Sequence, residues 1–267
     1  MAKDIRVLII EDDPYARDLM SLLLTRDWRT RVVGEVANRA ELLDFIAQME
    51  GRVNVVVLDT EMPGTPDLPF ELAALTEELP DPPAILFTGT QAAPRPYDYI
   101  VEHQRGGYVL KNELFYALGS AVAEVAAGHC VITPGVQNLR SQADLPTESY
   151  ILDARRQWSA FTPREREIIR LAMIFNLAIR DMADELVLSA GWVSEIVSTI
   201  YMKLGLREIL TGEAALEDYF SNEIVLAHCR EITQRGKAGD DNTKLRKAPW
   251  MSTLAFHLLT IPEIKKI

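Results

Sequence analysis

Cysteine is scarce in this chain: the 267 residues contain two, Cys130 and Cys229. That count excludes a disulfide framework, and their separation excludes a thiolate metal centre. Two ordinary small side chains in a reducing cytoplasm are the expectation. Long apolar runs are missing as well. None approaches the ~18 residues of a membrane-spanning helix, so no membrane partner is expected. The opening Met1-Ala2-Lys3-Asp4 runs on to an acidic cluster at Glu11, too short and too acidic for a signal peptide. Positive charge is also short, with a net charge of −11. Residues 1–130 hold 11 Lys+Arg against 21 Asp+Glu, and residues 131–267 hold 17 against 18. The first half suits a cation site. The second lacks the basic footprint usual in nucleic-acid-binding domains.

What is present is globular, with 48% apolar and 25% charged residues. The length suits about two domains. Strand-like and helix-like segments alternate through residue 127, which points to βαβ units and a parallel sheet. Strands are predicted at 5–10, 32–36, 53–58, 84–87 and 108–110. Helices are predicted at 14–26, 39–50, 68–79, roughly 97–105, and 112–127. Leu19, Leu22 and Leu23, and again Leu42, Leu43 and Ile46, recur at helical spacing and read as core. Pro94 and Pro96 delay the fourth helix, making that stretch the most irregular of the first domain.

Four of the strand-like runs end in a polar residue. Glu11-Asp12-Asp13 follows the first, Asp59 ends the third, Thr88 the fourth and Lys111 the fifth. In an open parallel sheet these carboxyl ends converge on one crevice, where ligands bind. Acids, a hydroxyl and a lysine gathered there describe a Mg²⁺ site around a carboxylate that accepts a phosphoryl group. Such transfer needs charge neutralisation and positioning more than covalent chemistry by the protein. Mg²⁺ takes one or two carboxylates plus waters and phosphate. Glu11, Asp12, Asp59 and the backbone carbonyl of Glu61 are the candidate ligands, and Asp59 is the nucleophile. Lys111 would pair with the phosphoryl oxygens and the Thr88 hydroxyl would bond one of them. Tyr108 would swing when Thr88 moves. An enzyme acting through Asp59, a Mg²⁺ phosphatase, is disfavoured: Glu61 stands two residues on, but in no suitable general-acid context.

On Glu11-Asp12-Asp13, Asp59 with Met62-Pro63, Thr88, and Tyr108-Val109-Leu110-Lys111, residues 1–127 resemble the receiver domain of two-component response regulators. The resemblance implies a flavodoxin-like α/β fold with a five-stranded parallel sheet, and phosphorylation of Asp59 by a histidine kinase. Lys111 is followed by Asn112, where the family often has proline.

Residues 128–160, rich in Gly, Pro, Asn and Ser, read as a linker, with a short helix at 150–158. A sharper start follows. Thr162 suits an N-cap, Pro163 the first helical position, and Glu165 completes a capping box. Helices are predicted at about 163–175, 179–187 and 190–204. Residues 161–207 resemble the helix-turn-helix output domain of NarL/LuxR regulators. The match runs through Phe161-Thr162-Pro163-Arg164-Glu165, Ile179-Arg180-Asp181-Met182-Ala183, and Lys203-Leu204-Gly205-Leu206. On the third helix Val193, Ile196, Val197, Ile200 and Leu204 form the inward stripe. Trp192, Ser194, Glu195, Ser198, Thr199 and Met202 face outward, and all of these but Met202, with Lys203, are the candidate DNA contacts. That face has no basic residue before Lys203, and the module holds six basic and six acidic residues. Arg164, Arg166, Arg170 and Arg180 could reach phosphates.

Two outputs therefore stand beside each other: a phosphorylation-switched, DNA-binding transcription factor that dimerises when phosphorylated, or a helical module turned to protein interaction. Residues 208–267 form a helical extension, with Leu216, Tyr219, Phe220, Ile224 and Val225 inward, a polar linker at 234–249, and a last helix burying Met251, Leu254, Ala255 and Leu258.

Overall fold

A computed structural model describes residues 4–49, 51–79, 81–114, 116–139, 144–154, 158–238, 249–262 and 264–267. The chain divides into two compact units. One spans Met1–Ala154 and Ile264–Ile267, the other Arg155–Glu263.

In the first unit the order is β1 (Ile5–Ile10), α1 (Pro14–Arg26), β2 (Thr30–Val36), α2 (Arg39–Gln48), β3 (Val55–Asp59), α3 (Leu68–Glu77), β4 (Ala84–Gly89) and α4 (Pro94–His103). Then come β5 (Gly107–Leu110), α5 (Lys111–Leu114), α6 (Leu118–Ala126), β6 (Cys130–Ile132), α7 (Pro134–Gln137), β7 (Ser149–Leu152) and, from the far end of the chain, β8 (Ile264–Lys266). They form one sheet in the order β2-β1-β3-β4-β5-β6-β7-β8. All neighbours are parallel except β7 and β8. The 2-1-3-4-5 order of the first five strands is the flavodoxin-like arrangement, with its ligand crevice at the carboxyl ends. Val7–Ile10, Val55–Leu58 and Ile85–Phe87 are buried, as parallel strands covered on both faces must be.

Local chemistry sets the helix starts. Asp13 accepts from the Tyr15 and Ala16 N–H groups, with Pro14 at the first helical position. Asn38 caps α2 through Glu41 N–H, and Glu41 reaches back to Ala37 N–H at 2.7 Å. At the end of α1, Asp27 and Arg29 make a buried ion pair of 2.6 Å, and Arg29 also reaches Ser120 on α6.

The sheet is wider than the five strands expected. The stretch read as a linker carries β6, α7 and β7, and the short helix expected at 150–158 gives way to the strand Ser149–Leu152. Runs of three or four residues are too short for periodicity to reveal, and pairing with β5 is what makes them strands. α4 starts at Pro94, not at about 97. Both prolines fall in its first turn, where the missing N–H groups have no intrahelical partner to lose. The helix expected over 112–127 is two, α5 and α6. Leu43 is exposed rather than core.

The second unit is helical: α8 (Pro163–Ile169), continued by a π turn at Arg170–Ile174, then α9 (Ile179–Glu185), α10 (Ala190–Lys203), α11 (Leu206–Thr211), a 3₁₀ turn at Leu216–Asp218, α12 (Glu223–Ala238) and α13 (Pro249–Thr260). The capping box closes as expected. Thr162 N–H donates to Glu165 Oε2 at 2.8 Å, and Glu165 N–H to Thr162 Oγ1 at 3.3 Å. Val193, Val197 and Ile200 are buried, while Ile196 and Leu204 are half-buried. Gly205 turns the chain after α10 at φ 68°, and the Tyr219 hydroxyl lies where a Cβ would sit. Leu216, Phe220 and Val225 are buried, but Tyr219 and Ile224, expected inward with them, are exposed, and the 3₁₀ turn is separated from α12 by residues 219–222. Met251, Leu254, Ala255 and Leu258 are buried. The polar linker expected at 234–249 begins inside α12, and 239–248 lie outside the described residues.

The Asp27–Arg29 pair yields a test. A Cβ on Gly119 of α6 would collide with Asp27 Oδ2. Alanine gains up to about 1 kcal/mol in helix propensity, but disturbing a buried pair costs more, so Gly119→Ala should lose roughly 2 kcal/mol net. Urea unfolding checks it.

Candidate functional site

Asp59 is the last residue of β3 and is 3% exposed. Glu11 follows β1 and is 1% exposed. Lys111 follows β5, and its Nζ lies 2.8 Å from Glu11 Oε2 and 3.0 Å from Asp59 Oδ1. Asp12 joins them: one carboxylate oxygen from each of Glu11, Asp12 and Asp59 lies within 4.8 Å of the others. Asp13, the remaining acid of the cluster, is engaged in capping α1. Arg17 holds the turn, donating to Glu11 O at 2.6 Å and Asp12 O at 3.4 Å. The Glu61 backbone N–H donates to the Asp59 carboxylate.

Burial pushes the Asp59 carboxyl above its ordinary range, and Lys111 offsets part of this. Glu11 is raised in the same way, by burial first and by the Asp59 charge, against the pull of Lys111. Burial works against the Lys111 ammonium, but its bonds to Glu11 and Asp59 together outweigh that and raise it. One cation thus serves two buried carboxylates with Asp12 close by, an acidic pocket of hard oxygen donors suited to a further cation.

Thr88 pairs in register with Asp59 across β3 and β4. It is fully buried, and its Oγ1 has no hydrogen-bond partner among the described residues. Its carbonyl accepts from Thr60 N–H at 2.8 Å and Thr60 Oγ1 at 3.0 Å. Tyr108 is buried under the start of α4, donating to Gln91 O at 2.8 Å and accepting from Ala93 N–H at 3.1 Å. Sequence reasoning missed Thr90 and Gly89 and the bond made by the Glu61 side chain. Glu61 Oε1 accepts from the Thr90 hydroxyl at 2.6 Å and Oε2 from Thr90 N–H at 3.1 Å. Gly89 has no room for a side chain, since a Cβ would meet Thr60 Oγ1 at 2.6 Å. A Gly-Thr pair after an apolar strand was the one available signal.

The candidate DNA face lies on α10 of the helical unit. Trp192 is 42% exposed, with the Arg164 guanidinium 5.7 Å from its ring. Glu195 is exposed and Ser194 half-buried. The Ser198 and Thr199 hydroxyls donate back to Ser194 O and Glu195 O at 2.8 and 3.0 Å. Lys203 is engaged within the unit, 2.8 Å from Glu165 Oε2. Val187, in the turn before α10, holds φ 55° and is 90% exposed.

Residues 7–122 match the family described as response regulator receiver domain. Residues 7–122 are a receiver domain of the response-regulator family. Similar proteins include the "Fimbriae Z protein" of Escherichia coli, 23% identical over 212 residues, covering 78% of this chain and 94% of that protein. The "Probable transcriptional regulatory protein NarL" of Mycobacterium tuberculosis is 26% identical over 210 residues, covering 76% of this chain and 89% of that protein. The "Sensory transduction protein LytT" of Bacillus cereus is 31% identical over 83 residues, and there the chain spans 32% of the relative's length. A solved structure of two RcsB dimers bound to two parallel DNAs is 20% identical, covers 76% of this chain and 93% of that one, and superposes with a TM-score of 0.44. No helix among the described residues is long and apolar enough to cross a membrane.

The raised carboxyls of this receiver domain have a stability consequence. A folded-state pKa above the unfolded one gives stability that is present below the unfolded pKa and is lost as pH rises through the folded one. At neutral pH the buried Asp59 and Glu11 charges therefore oppose folding when no cation is bound. Asp59→Asn should raise the Tm measured in chelator at pH 7 by a few degrees, at about 2–4 °C per kcal/mol. The gain should shrink as pH falls towards the ordinary carboxylate range.

Proposed function

We propose that Asp59 accepts a phosphoryl group from a histidine kinase and that this switches a DNA-binding output in the helical unit. The observation that carries the reading is the convergence of Asp59, Glu11, Asp12 and Lys111 at the strand ends beside the unengaged Thr88 hydroxyl. Glu11, Asp12, Asp59 and the Glu61 carbonyl would hold Mg²⁺, whose charge neutralises the carboxylates and the incoming phosphoryl oxygens. In the transfer the P–N bond to the kinase histidine breaks, its electron pair stays on the imidazole, and a P–O bond forms to an Asp59 carboxylate oxygen.

Lys111 leaves its bridge between Glu11 and Asp59 to meet a phosphoryl oxygen, and Thr88 donates to another. Tyr108, bonded at Gln91 and Ala93, feels the movement of β4 and passes it to the start of α4. The phosphoryl group goes to the protein's own carboxylate, so no substrate is turned over in this reading. A second copy of the chain is the expected partner in the phosphorylated state, and a cytoplasmic location belongs to the same proposal.

The DNA-binding half is supported by the relatives that span three quarters of the chain, one of them named as a transcriptional regulator. It is supported also by the order α8, α9, tight turn, α10, in which the second helix of a helix-turn-helix reads base edges. In this reading Trp192, Ser194, Glu195 and Ser198 contact the bases. Ser198 and Thr199 keep acceptor capacity after donating to the backbone.

Incubation with a small-molecule phosphodonor and Mg²⁺, followed by peptide mass spectrometry, should place the modification on Asp59. Asp59→Asn should abolish it, and Glu11→Gln should weaken the Mg²⁺ requirement's half-saturation. Full-length protein should bind genomic fragments selectively after phosphodonor treatment. Affinity should fall with salt, and Trp192→Ala should reduce it. Phosphorylation without any DNA retention at low salt would leave the acceptor reading intact and move the output to protein interaction.

A further inference from the structure

β6 and α7 lie beyond residues 7–122, the stretch that matches the receiver family, yet they are bonded into the acceptor site. Thr133 is the N-cap of α7, with extended φ −94° and ψ 162°. A threonine there ordinarily accepts from its own helix's N–H groups. It makes no such bond. Its Oγ1 accepts instead from Leu110 N–H at 3.0 Å. The start of α7 is served from the other side, where Gly135 N–H donates to Glu113 Oε2 at 2.7 Å. The two segments have exchanged acceptors. The exchange is shielded from water, with Thr133 fully buried, Glu113 5% and Leu110 6% exposed. Nor is there slack in it: a Cβ on Gly135 would lie 2.7 Å from Leu110 Cδ1 and 3.1 Å from Glu113 Oε2.

Lys111 stands between the two stitched residues, Leu110 and Glu113. Its ammonium must sit within hydrogen-bond reach of Glu11 and Asp59, and then of a phosphoryl oxygen. On a four-residue helix such as α5 few intrahelical bonds fix the backbone. We propose that Thr133 and Glu113 are positioning residues for Lys111, so that phosphorylation of Asp59 depends on the added β6–α7 segment. The proposal rests on the reading of Asp59 as acceptor. The same bonds work in both directions, and a displacement of Lys111 on phosphorylation reaches the segment that leads through β7 to the helical unit.

The test is the rate of Asp59 phosphorylation by a small-molecule phosphodonor in the full-length protein, followed by mass spectrometry well below the Tm. Thr133→Val keeps the shape and removes the hydroxyl. It should slow the reaction roughly tenfold, as a small misplacement of a charge-stabilising group does. The Mg²⁺ concentration for half-maximal rate should not change, because Glu11, Asp12 and Asp59 are untouched. Thr133→Ser should restore the rate. Glu113→Ala, which removes the other bond, should slow the same step and is the second variant if the first folds poorly. A structural role alone would lower the Tm and leave the rate at wild type. Wild-type rates in both variants, with the modification on Asp59, overturn the positioning proposal and spare the acceptor reading. Modification that survives Asp59→Asn overturns the acceptor reading and this proposal with it.

Discussion

A single ammonium, that of Lys111, lies against two buried carboxylates with a third close by, and the rest of the first unit is arranged around that imbalance. In water such charges would be hydrated. Here Glu11 and Asp59 are almost wholly enclosed, and burial is the largest influence on both. The ion pairs reduce the cost without cancelling it, which is why both carboxyls remain above their ordinary range. A pocket in that condition gains from any added positive charge and can then accept an anionic phosphoryl group. The geometry comes from the sheet. Parallel strands deliver their carboxyl ends to one edge, and the Asp59–Thr88 register sets the hydroxyl beside the acceptor. Neighbouring groups with other duties keep the site from collapsing: Asp13 is held as a helix cap and Arg17 binds the carbonyls of the acidic turn.

Much of this was legible in the sequence because it follows local rules. Apolar runs ending in Asp59, Thr88 and Lys111 announce buried parallel strands and their functional ends. Thr162-Pro163-Arg164-Glu165 announces a capped helix, and the box is formed by both its hydrogen bonds. What was not legible depends on partners distant in sequence. Cys130–Ile132 becomes a strand because β5 offers an edge, and Ile264–Lys266 because β7 does. The Glu61–Thr90 bridge joins two loops that no spacing relates. α4 shows a misjudged local rule, since proline breaks a helix interior but is at home in a first turn. Lys203 shows a different limit. Its spacing placed it at the end of an outward face, and it is exposed there, but its ammonium is already paired with the buried Glu165 across the unit.

The helical unit raises the opposite electrostatic problem from the receiver. Duplex DNA binders draw most of their affinity from neutralising phosphates, yet residues 161–207 carry equal numbers of acids and bases. Some of those bases are already engaged: Lys203 and Arg164 face Glu165 and Glu167. A neutral surface can still read base edges through hydroxyls and a carboxylate, and a helix N-terminus such as that of α10 favours phosphate. Weak charge attraction then has to be made up elsewhere. Pairing two units on one site does this without new contacts, since the second unit binds at the effective concentration set by the first. For a module this close to neutrality, the proposed pairing of two copies would be an effective point of control. A carboxylate switch that changes only the pairing of the chain can turn a weak single contact into a stable one.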